Sequence, residues 1–277
     1  MGWTHVKDIL YKSQTGQRIT VLTAYDYPMA HIIDQCGVDI ILVGDSLANV
    51  VLGLESTREV NMEIMLHHAS AVGRAVKKAF LVGDMPYGSY QTPAEALKNA
   101  RRFIEEAGCD AVKVEWFEDC LDVVRTLTEA GIPVMGHVGL TPQTADRLGG
   151  MKVQGKDAES ARAIMRQAKD LEQAGLFSLV LECVPDRIAA LITEALSIPT
   201  IGIGAGPGCS GQVLVTHDLL GLYKRFQPKF VKQYIDLGAE MEKGINQFCL
   251  EVERGSFPDR QHSFSISDEE FEKVKIS

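Results

Sequence analysis

Short apolar runs recur along the chain, and several of them end on an acidic side chain. The stretch at 39–46, with the sequence DIILVGDS, is rich in β-branched residues and closes with Asp45 and a serine. Bounded runs of this kind predict strands that are buried on both faces of a parallel sheet. Three further runs end on Asp84, Glu115 and Glu182. Because the carboxyl ends of parallel strands converge, the pattern predicts a site built from acids at one end of the sheet.

Helical spacing of apolar residues separates these runs, so that strands and helices alternate. Strands are predicted at 18–26, 39–43, 80–82, 110–115, 132–137, 177–181, 199–203 and 213–215. Helices are predicted at 4–13, 29–35, 61–78, 93–107, 118–130, 158–173, 186–196 and 230–252. Eight strands separated by helices predict an α/β fold of the (β/α)₈ TIM-barrel type. An open doubly wound sheet is less favoured, since no G-x-G-x-x-G motif follows the first strand.

The length of the chain fits one barrel domain. A (β/α)₈ barrel uses about 250 residues, and this chain has 277. We expect a single domain over 1–255, in which a helix capped by Thr4 covers the bottom of the barrel and a further helix ends the domain. Residues 256–277 are predicted to form a polar tail. Two long segments, 46–59 and 138–156, are predicted active-site loops.

The composition favours an enzyme that acts on small molecules, and it argues against nucleic acid or a membrane as the main partner. Lys and Arg number 28 against 37 Asp and Glu, which gives a formal net charge of −9. The six cysteines form no C-x-x-C pair, so reduced thiols are expected. The sequence has neither a signal-like start nor an apolar stretch of about 18 residues. A cytoplasmic protein is therefore predicted.

Asp45, Asp84 and Glu115 come from three successive predicted strand ends. Three oxygen ligands suit a hard divalent cation such as Mg²⁺, which keeps its remaining positions for water and substrate. Clustered carboxylates without a cation would repel one another. The alternative is that each acid caps a strand–helix junction, which is a common role for Asp. The convergence of all three favours the metal site.

Lys113 lies two residues before Glu115 on the same predicted strand. Strand side chains alternate, so these two residues share one face, while Val112 and Val114 share the other. If Glu115 lies at the site, Lys113 points into the barrel, where a lysine needs an anion. Two kinds of partner fit: a structural ion pair with a neighbouring acid, Glu115 or Asp84, or the carboxylate of a substrate.

Glu182 ends the sixth predicted strand, across the barrel mouth from strands two to four. It is a candidate general base, because an apolar pocket raises the proton affinity of a carboxylate, although it could instead bond the backbone at 183–185. His137 is a candidate for binding substrate, or else a hydrogen-bonded wall residue. A divalent metal, a lysine and a carboxylate base together indicate proton abstraction beside a carbonyl group, with a 2-oxo acid as the substrate class.

Five ordered motifs resemble those of the ketopantoate hydroxymethyltransferase family. They are VGDSL at 43–47, DMPYGSY at 84–90, GHVGLTPQ at 136–143, LECVP at 181–185 and IPTIGIGAG at 198–206. The resemblance runs in one register from about Thr23 to Phe257. It implies a barrel of the phosphoenolpyruvate/pyruvate type that transfers a hydroxymethyl group from 5,10-methylenetetrahydrofolate to 3-methyl-2-oxobutanoate. The implied product is 2-dehydropantoate, a precursor in pantothenate and coenzyme A synthesis.

The resemblance also implies roles for individual residues. The ligands of one Mg²⁺ per subunit would be Asp45, Asp84 and Glu115. The residues that contact substrate would be Asp45, Ser46, Asp84 and Lys113. Glu182 would be the proton acceptor that creates the enolate. Members of the family assemble as homo-oligomers, typically decamers, so the same assembly is implied for this chain.

One departure from the family pattern stands beside the predicted metal site. Members usually have two glycines after the strand-four acid, whereas Trp116 and Phe117 follow Glu115 in this chain. We expect their bulk to reshape the entrance for the 2-oxo acid or the folate.

Two other functions remain open from the residues alone. They are a Mg²⁺-dependent lyase or mutase of another 2-oxo acid, and a non-catalytic oligomeric scaffold on the same barrel.

Overall fold

Eight parallel strands close into a barrel in the computed structural model, which describes residues 4–275. The strands are β1 Ile19–Thr23, β2 Ile40–Val43, β3 Phe80–Asp84, β4 Ala111–Glu115, β5 Val134–Gly139, β6 Ser178–Glu182, β7 Thr200–Ile203 and β8 Gly211–Leu214. Each strand pairs with the next in chain order, and β8 returns to pair with β1. The predicted (β/α)₈ fold is therefore confirmed. Residues 1–3 and 276–277, at the ends of the predicted domain and tail, lie outside the described residues.

Helices precede, connect and follow the strands of the barrel. They are α1 Val6–Gln14, α2 Tyr27–Gln35, α3 Leu47–Val50, α4 Met62–Ala75, α5 Pro93–Glu105, α6 Cys120–Glu129, α7 Ala158–Gln173, α8 Asp186–Ala195, α9 Thr216–Leu219, α10 Leu237–Glu253 and α11 Asp268–Lys275. Short 3₁₀ segments occur at Thr57–Glu59, Pro142–Leu148 and Arg260–His262. Local caps account for helix starts: the Thr92 hydroxyl accepts a hydrogen bond from the Glu95 N–H, immediately before Pro93 begins α5.

The strands separate two apolar clusters. Inside the barrel, Phe80, Met135 and Ile201 pack with residues of the other strands. A larger cluster lies between the strands and the helices, and it includes Val112 and Val114 of β4. Because strand side chains alternate, the other residues of β4 face the barrel interior. This arrangement confirms the predicted sidedness of that strand.

Helix α1 packs against the start of β1 at the base of the barrel. Its Ile9 is fully buried and packs with Ile19 at the start of β1. The predicted Thr4 cap is wrong, because α1 begins only at Val6. The residue before it is His5, whose backbone N–H donates to the Asp8 carboxylate at 2.8 Å. The side chain of Asp8, at the third helical position, thus caps the helix and determines where it begins.

Three strands extend further than predicted. β3 ends at Asp84, β5 at Gly139 and β6 at Glu182, each one or two residues beyond its predicted end. The parallel ladder continues to these positions, since Asp84 pairs with Lys113 and Gly139 pairs with Glu182. The two acids therefore stand on rigid strand ends and not on the loops that follow.

The predicted loop at 46–59 is partly ordered, since it contains α3 and the 3₁₀ segment Thr57–Glu59. The Asn49 amide donates to the Leu54 carbonyl at 2.9 Å, and the Ser56 N–H donates to the Glu59 carboxylate at 2.8 Å. Such local side-chain bonds favour turns, and apolar periodicity does not reveal them.

The C-terminal helix starts later than predicted. α10 begins at Leu237 and not at 230, because the Asp236 carboxylate accepts a hydrogen bond from the Ala239 N–H at 3.1 Å and caps the helix there. α10 has no buried residue, and its Ile245 and Phe248 are exposed. The predicted polar tail contains the exposed helix α11. Among residues 4–275, no helix is long and apolar enough to cross a membrane.

Candidate active site

The sequence-predicted site residues meet at the carboxyl end of the barrel. They are Asp45 and Ser46 after β2, Asp84 at the end of β3, Lys113 and Glu115 on β4, His137 on β5 and Glu182 at the end of β6. All of the charged members are buried except Glu182, whose side chain is 16% exposed. Strand register brings neighbours together, since Asp84 pairs with Lys113 and Glu115 pairs with His137. The acids and bases thus form one continuous group.

Lys113 makes the strongest ionic contact of the group. Its Nζ donates to both carboxylate oxygens of Asp84 at 2.9 Å, and it lies 3.9 Å from Oε1 of Glu115. Burial lowers the pKa of Lys113, but the charges of Asp84 and Glu115 outweigh burial and raise it above its ordinary value. Lys113 is therefore a permanent cation at the barrel mouth, and it already has a structural partner.

His137 lies between the two glutamates of the site. Its Nδ1 is 3.2 Å from Oε1 of Glu115, and its Nε2 is 3.3 Å from Oε2 of Glu182. Neither contact is aligned as a hydrogen bond. Burial and the Lys113 charge lower the pKa of His137, whereas the two glutamates raise it, with a net result of about 9. One imidazole ring thus links Glu182 to the acids across the mouth.

Gln143 occupies the centre of the hydrogen-bond network, although the sequence pattern gives it no role. Its Nε2 donates to Oδ2 of Asp45 at 2.9 Å, and its backbone N–H donates to Oε2 of Glu115 at 3.0 Å. The side chain is 1% exposed. Gln143 closes the motif GHVGLTPQ on the loop after β5, and this position in a motif is the signal that could have identified it.

Two buried tyrosines border the site. The Tyr25 hydroxyl lies 2.8 Å from Oγ of Ser46, and the Tyr90 hydroxyl accepts a hydrogen bond from the Glu115 N–H at 3.4 Å. Burial raises the pKa of both phenols above the ordinary value, so both remain neutral at pH 7. The sequence pattern singles out neither tyrosine, because a buried aromatic residue usually indicates core packing.

Negative charge is concentrated at the barrel mouth. Burial first, and then the neighbouring charge of Asp84, raise the pKa of Asp45 well above its ordinary value. Burial also raises the pKa of Asp84, with Lys113 acting in the opposite direction. The four carboxylates of the site face two basic side chains, Lys113 and His137. When all six groups are ionised, the acids exceed the bases by two, and a divalent cation would balance this charge.

The oxygen donors of the site fit a hard divalent cation. Glu115 Oε1 is buried and has no hydrogen-bond partner, and Asp45 and Asp84 are close enough for their charges to affect each other. No three His, Cys, Asp or Glu side chains within residues 4–275 already surround a common metal position. Lys113 holds both oxygens of Asp84, and Gln143 holds one oxygen of Asp45. Carboxylate oxygens are nevertheless the ligands that Mg²⁺ prefers.

A cavity of about 280 Å³ is lined by the loops after β4 and β5 and by helix α7. Its lining includes Trp116, Phe117, Thr141 and Arg147. The Phe117 ring contacts the Tyr90 ring, with 5.7 Å between the centroids. The two bulky residues that depart from the family pattern therefore line this cavity, and they directly follow Glu115 in the chain.

A closed (β/α)₈ barrel that gathers buried carboxylates, a lysine and a histidine at its strand ends has the architecture of a barrel enzyme with an acid–base site. Comparison with known sequences narrows this class. The sequence model of the ketopantoate hydroxymethyltransferase family matches residues 4–260. The chain belongs to that family, which confirms the resemblance of the five motifs.

Curated relatives match nearly the whole chain. It is 56% identical over 256 residues to the 3-methyl-2-oxobutanoate hydroxymethyltransferase of Thermoanaerobacter sp. strain X514, a match that covers 92% of this chain and 93% of that protein. It is 52% identical over 263 residues to the protein of the same name from Desulfotalea psychrophila, with 95% and 94% covered. The similarity therefore extends over the barrel and not over a single motif.

Solved structures show the same fold at low identity. A phosphonopyruvate hydrolase has a TM-score of 0.63 at 12% identity, covering 98% of this chain and 95% of that chain. A 2,3-dimethylmalate lyase, a member of the PEP mutase/isocitrate lyase superfamily, has a TM-score of 0.59 at 14% identity, covering 94% and 92%. At these identities the likeness shows the fold alone, and it agrees with the closed eight-stranded barrel.

Proposed function

We propose that this chain transfers a hydroxymethyl group from 5,10-methylenetetrahydrofolate to 3-methyl-2-oxobutanoate, giving 2-dehydropantoate for pantothenate synthesis. The names of the relatives with 56% and 52% identity support the transferase activity and the acceptor. The observation that carries the proposal is the row formed by Glu182, His137 and Glu115 at the barrel mouth. A carboxylate base on one side of a cationic group suits removal of a proton beside a carbonyl.

Glu182 is the proposed base. Its carboxylate would take the proton from C3 of the 2-oxo acid, and the electron pair of that C–H bond would form the C2=C3 bond of an enolate. Water would release the one-carbon unit from the two folate nitrogens at the oxidation level of formaldehyde, with both C–N bonds broken and tetrahydrofolate as the leaving group. C3 of the enolate would then add to that carbon, and the oxygen that came from water would take a proton and become the new hydroxyl group. His137, with Nε2 3.3 Å from Glu182, would hold the base toward the substrate. The partial exposure of Glu182 leaves it accessible to an incoming ligand.

We assign one Mg²⁺ per subunit to Asp45, Asp84 and Glu115. The support is the excess of buried acids and the unpartnered Oε1 of Glu115. A structure of phosphonopyruvate hydrolase, 13% identical with a TM-score of 0.59, is a complex with oxalate and Mg²⁺. When bound, the ion would supply positive charge for the developing enolate oxygen. The proposed substrate contacts are Asp45, Ser46, Asp84, Lys113 and His137.

The folate co-substrate is assigned to the cavity beside Trp116 and Phe117. The support is its aromatic wall, which directly follows Glu115 in the chain and could stack on a planar ring. Its volume of about 280 Å³ lies near the lower end of small-molecule pockets, so it would admit the ring system and leave the remainder of the folate outside.

Exchange of the C3 proton of 3-methyl-2-oxobutanoate in D₂O, followed by NMR without folate, tests the proposal. We expect exchange with Mg²⁺ and none after chelation, because enolate formation precedes the one-carbon step. No exchange under either condition would contradict the proposal and would favour the scaffold alternative. The lyase or mutase alternative rests on fold similarity alone, and the absence of folate-dependent product would favour it.

We further propose a homo-oligomer, a decamer by family resemblance, located in the cytoplasm, with 1–255 as its single folded domain. The exposed apolar residues of α10, among them Met241, Ile245 and Phe248, support a subunit contact. The free thiols of the six cysteines suit a reducing compartment. Light scattering in solution measures the subunit number, and a monomer would contradict the assembly.

A further inference from the structure

Gln143 donates hydrogen bonds to two of the three site carboxylates that receive none from a basic side chain, namely Asp45 and Glu115. We propose that Gln143 is a positioning residue, which holds one oxygen of Asp45 and one oxygen of Glu115 and so aims the second oxygen of each at a divalent cation. This inference rests on the metal site in the proposed function. It adds a residue that acts through the ligands and does not contact the ion.

The orientation of the Gln143 amide is determined by its neighbours. Its Nε2 donates to Oδ2 of Asp45 at 2.9 Å and to the carbonyl of Met85 at 3.0 Å. The carbonyl can only accept, and so can the Asp45 carboxylate in its ionised form. Its Oε1 accepts a hydrogen bond from the Tyr90 hydroxyl. Rotating the amide by 180° would place oxygen against two acceptors. All of the side-chain donors and the acceptor are therefore used in one arrangement.

The backbone of Gln143 holds the second carboxylate. Its N–H donates to Oε2 of Glu115 at 3.0 Å, while Oε1 of Glu115 remains buried and without a hydrogen-bond partner. One residue thus fixes one oxygen of each acid. His137 Nδ1 lies 3.2 Å and Lys113 Nζ 3.9 Å from this oxygen, but neither donates a hydrogen bond to it, so the oxygen keeps its capacity to ligate a cation.

The chemistry of the amide suits positioning better than a charged group would. Lys113 neutralises Asp84 through an ion pair, but Gln143 directs Asp45 and Glu115 without adding charge. The negative charge therefore stays available to a cation, whereas a lysine at 143 would compete with that cation. Groups that orient metal ligands in this way typically contribute about 10–100-fold to metal affinity.

A merely structural role is the competing explanation, because Gln143 also ties the 3₁₀ segment Pro142–Leu148 to the barrel. The chain provides a matched control for that role. Asp146, in the same segment, accepts a hydrogen bond from Arg58 at 2.9 Å on the exposed side. Asp146→Ala removes an outer tether of this segment and leaves the carboxylates of the site untouched.

The experiment compares Gln143→Met with Asp146→Ala. Methionine keeps the length and volume of the side chain but has no N–H donor, while the backbone bond to Glu115 remains. Mg²⁺ affinity is measured by calorimetry without substrates, together with the melting temperature in chelator. We expect Gln143→Met to weaken Mg²⁺ binding about tenfold and Asp146→Ala to change it less than about twofold.

Equal Mg²⁺ affinity in Gln143→Met and the wild type would overturn the inference, as would an equal loss in both variants. If Gln143→Met does not fold, Gln143→Asn keeps the amide but shortens its reach to Asp45, and the same loss is expected. If neither variant folds with Mg²⁺ present, Gln143 serves the fold and the inference is wrong. A wild type that binds no Mg²⁺ contradicts the proposed metal site itself, so the two failures are distinguishable.

Discussion

Lys113 and Asp84 form a buried ion pair in which Nζ lies 2.9 Å from each carboxylate oxygen. Their side chains are 6% and 2% exposed. Lys113 therefore has a structural partner in Asp84. Its Nζ also lies 3.9 Å from Oε1 of Glu115, so the lysine faces the rest of the site as well. A buried ion pair of this kind adds little net stability. Removing one partner is nevertheless costly, because the other charge stays buried without a partner.

Lys113→Met should therefore lower the free energy of unfolding by about 3 kcal/mol at pH 8 in metal-free protein, because it leaves a buried carboxylate uncompensated. Burial already raises the pKa of Asp84, and loss of Lys113 raises it further. Protonation at pH 5 should relieve part of the loss. Urea unfolding at both pH values measures this, and adding Asp84→Asn should restore much of the stability. An equal loss at both pH values would contradict the pairing.

Glu182→Gln should abolish the proposed base while preserving its shape. We expect C3 proton exchange to fall by about 10²–10⁴-fold. The affinities for Mg²⁺ and the 2-oxo acid should be nearly unchanged, because Glu182 contacts His137 and does not contact the proposed metal ligands directly. NMR exchange and calorimetry on the same preparation separate the two effects. Exchange at the wild-type rate would remove Glu182 from this role.

Replacing Trp116 and Phe117 together by Ala should affect the folate and spare the 2-oxo acid. These side chains form the aromatic wall of the cavity, and loss of about 1 kcal/mol of ring contact would raise the KM for folate several-fold. Exchange without folate should stay within about twofold of the wild type. Trp116→Phe is the matched control and should keep the folate KM. A change in exchange alone would show that the wall serves the 2-oxo acid.

Asp218 on α9 should destabilise the fold when it is ionised. Burial raises its pKa from 3.8 to about 6, and its Oδ1 is buried without a hydrogen-bond partner. A carboxyl whose folded pKa is raised contributes stability at low pH, and this contribution is lost as pH rises through about 6. Asp218→Asn should raise the free energy of unfolding by about 1 kcal/mol at pH 8, a value reduced for partial exposure, and by little at pH 4.

Asp157 provides a control of opposite sign. It caps α7, and the hydrogen bond from Ser160 lowers its pKa. Its contribution is therefore present at neutral pH and lost as pH falls. Asp157→Asn should destabilise at pH 8 and have little effect at pH 2. Urea midpoints across this range measure both variants, and curves of the same sign would contradict the assigned directions.

The alternation of strands and helices could be predicted because burial leaves a local, periodic signal in each segment. The ends of β3, β5 and β6 could not, since they depend on ladder bonds to neighbours such as Lys113. The start of α10 depends on the cap at Asp236, which apolar spacing does not register.

The site shows the same division. Asp45, Asp84, Glu115 and Glu182 could be identified because each follows a buried run. The link between Gln143 and Asp45 joins residues 98 positions apart, and only the closed barrel brings them together. The placement of His137 between two glutamates depends on the register of β4, β5 and β6. Contacts of this kind arise from tertiary structure and have no local sequence signal.

Helix α1 has a consequence for the order of events during turnover. Ile9 seals the base of the barrel, and apolar side chains fill its interior, so among the described residues the mouth is left as the route for ligands. The 2-oxo acid would bind deepest, and the folate would lie above it. The two substrates would then enter in sequence and the products leave in reverse, so the folate product should depart before 2-dehydropantoate. Product-inhibition kinetics would reveal this compulsory order, and random binding would show that the mouth admits both ligands side by side.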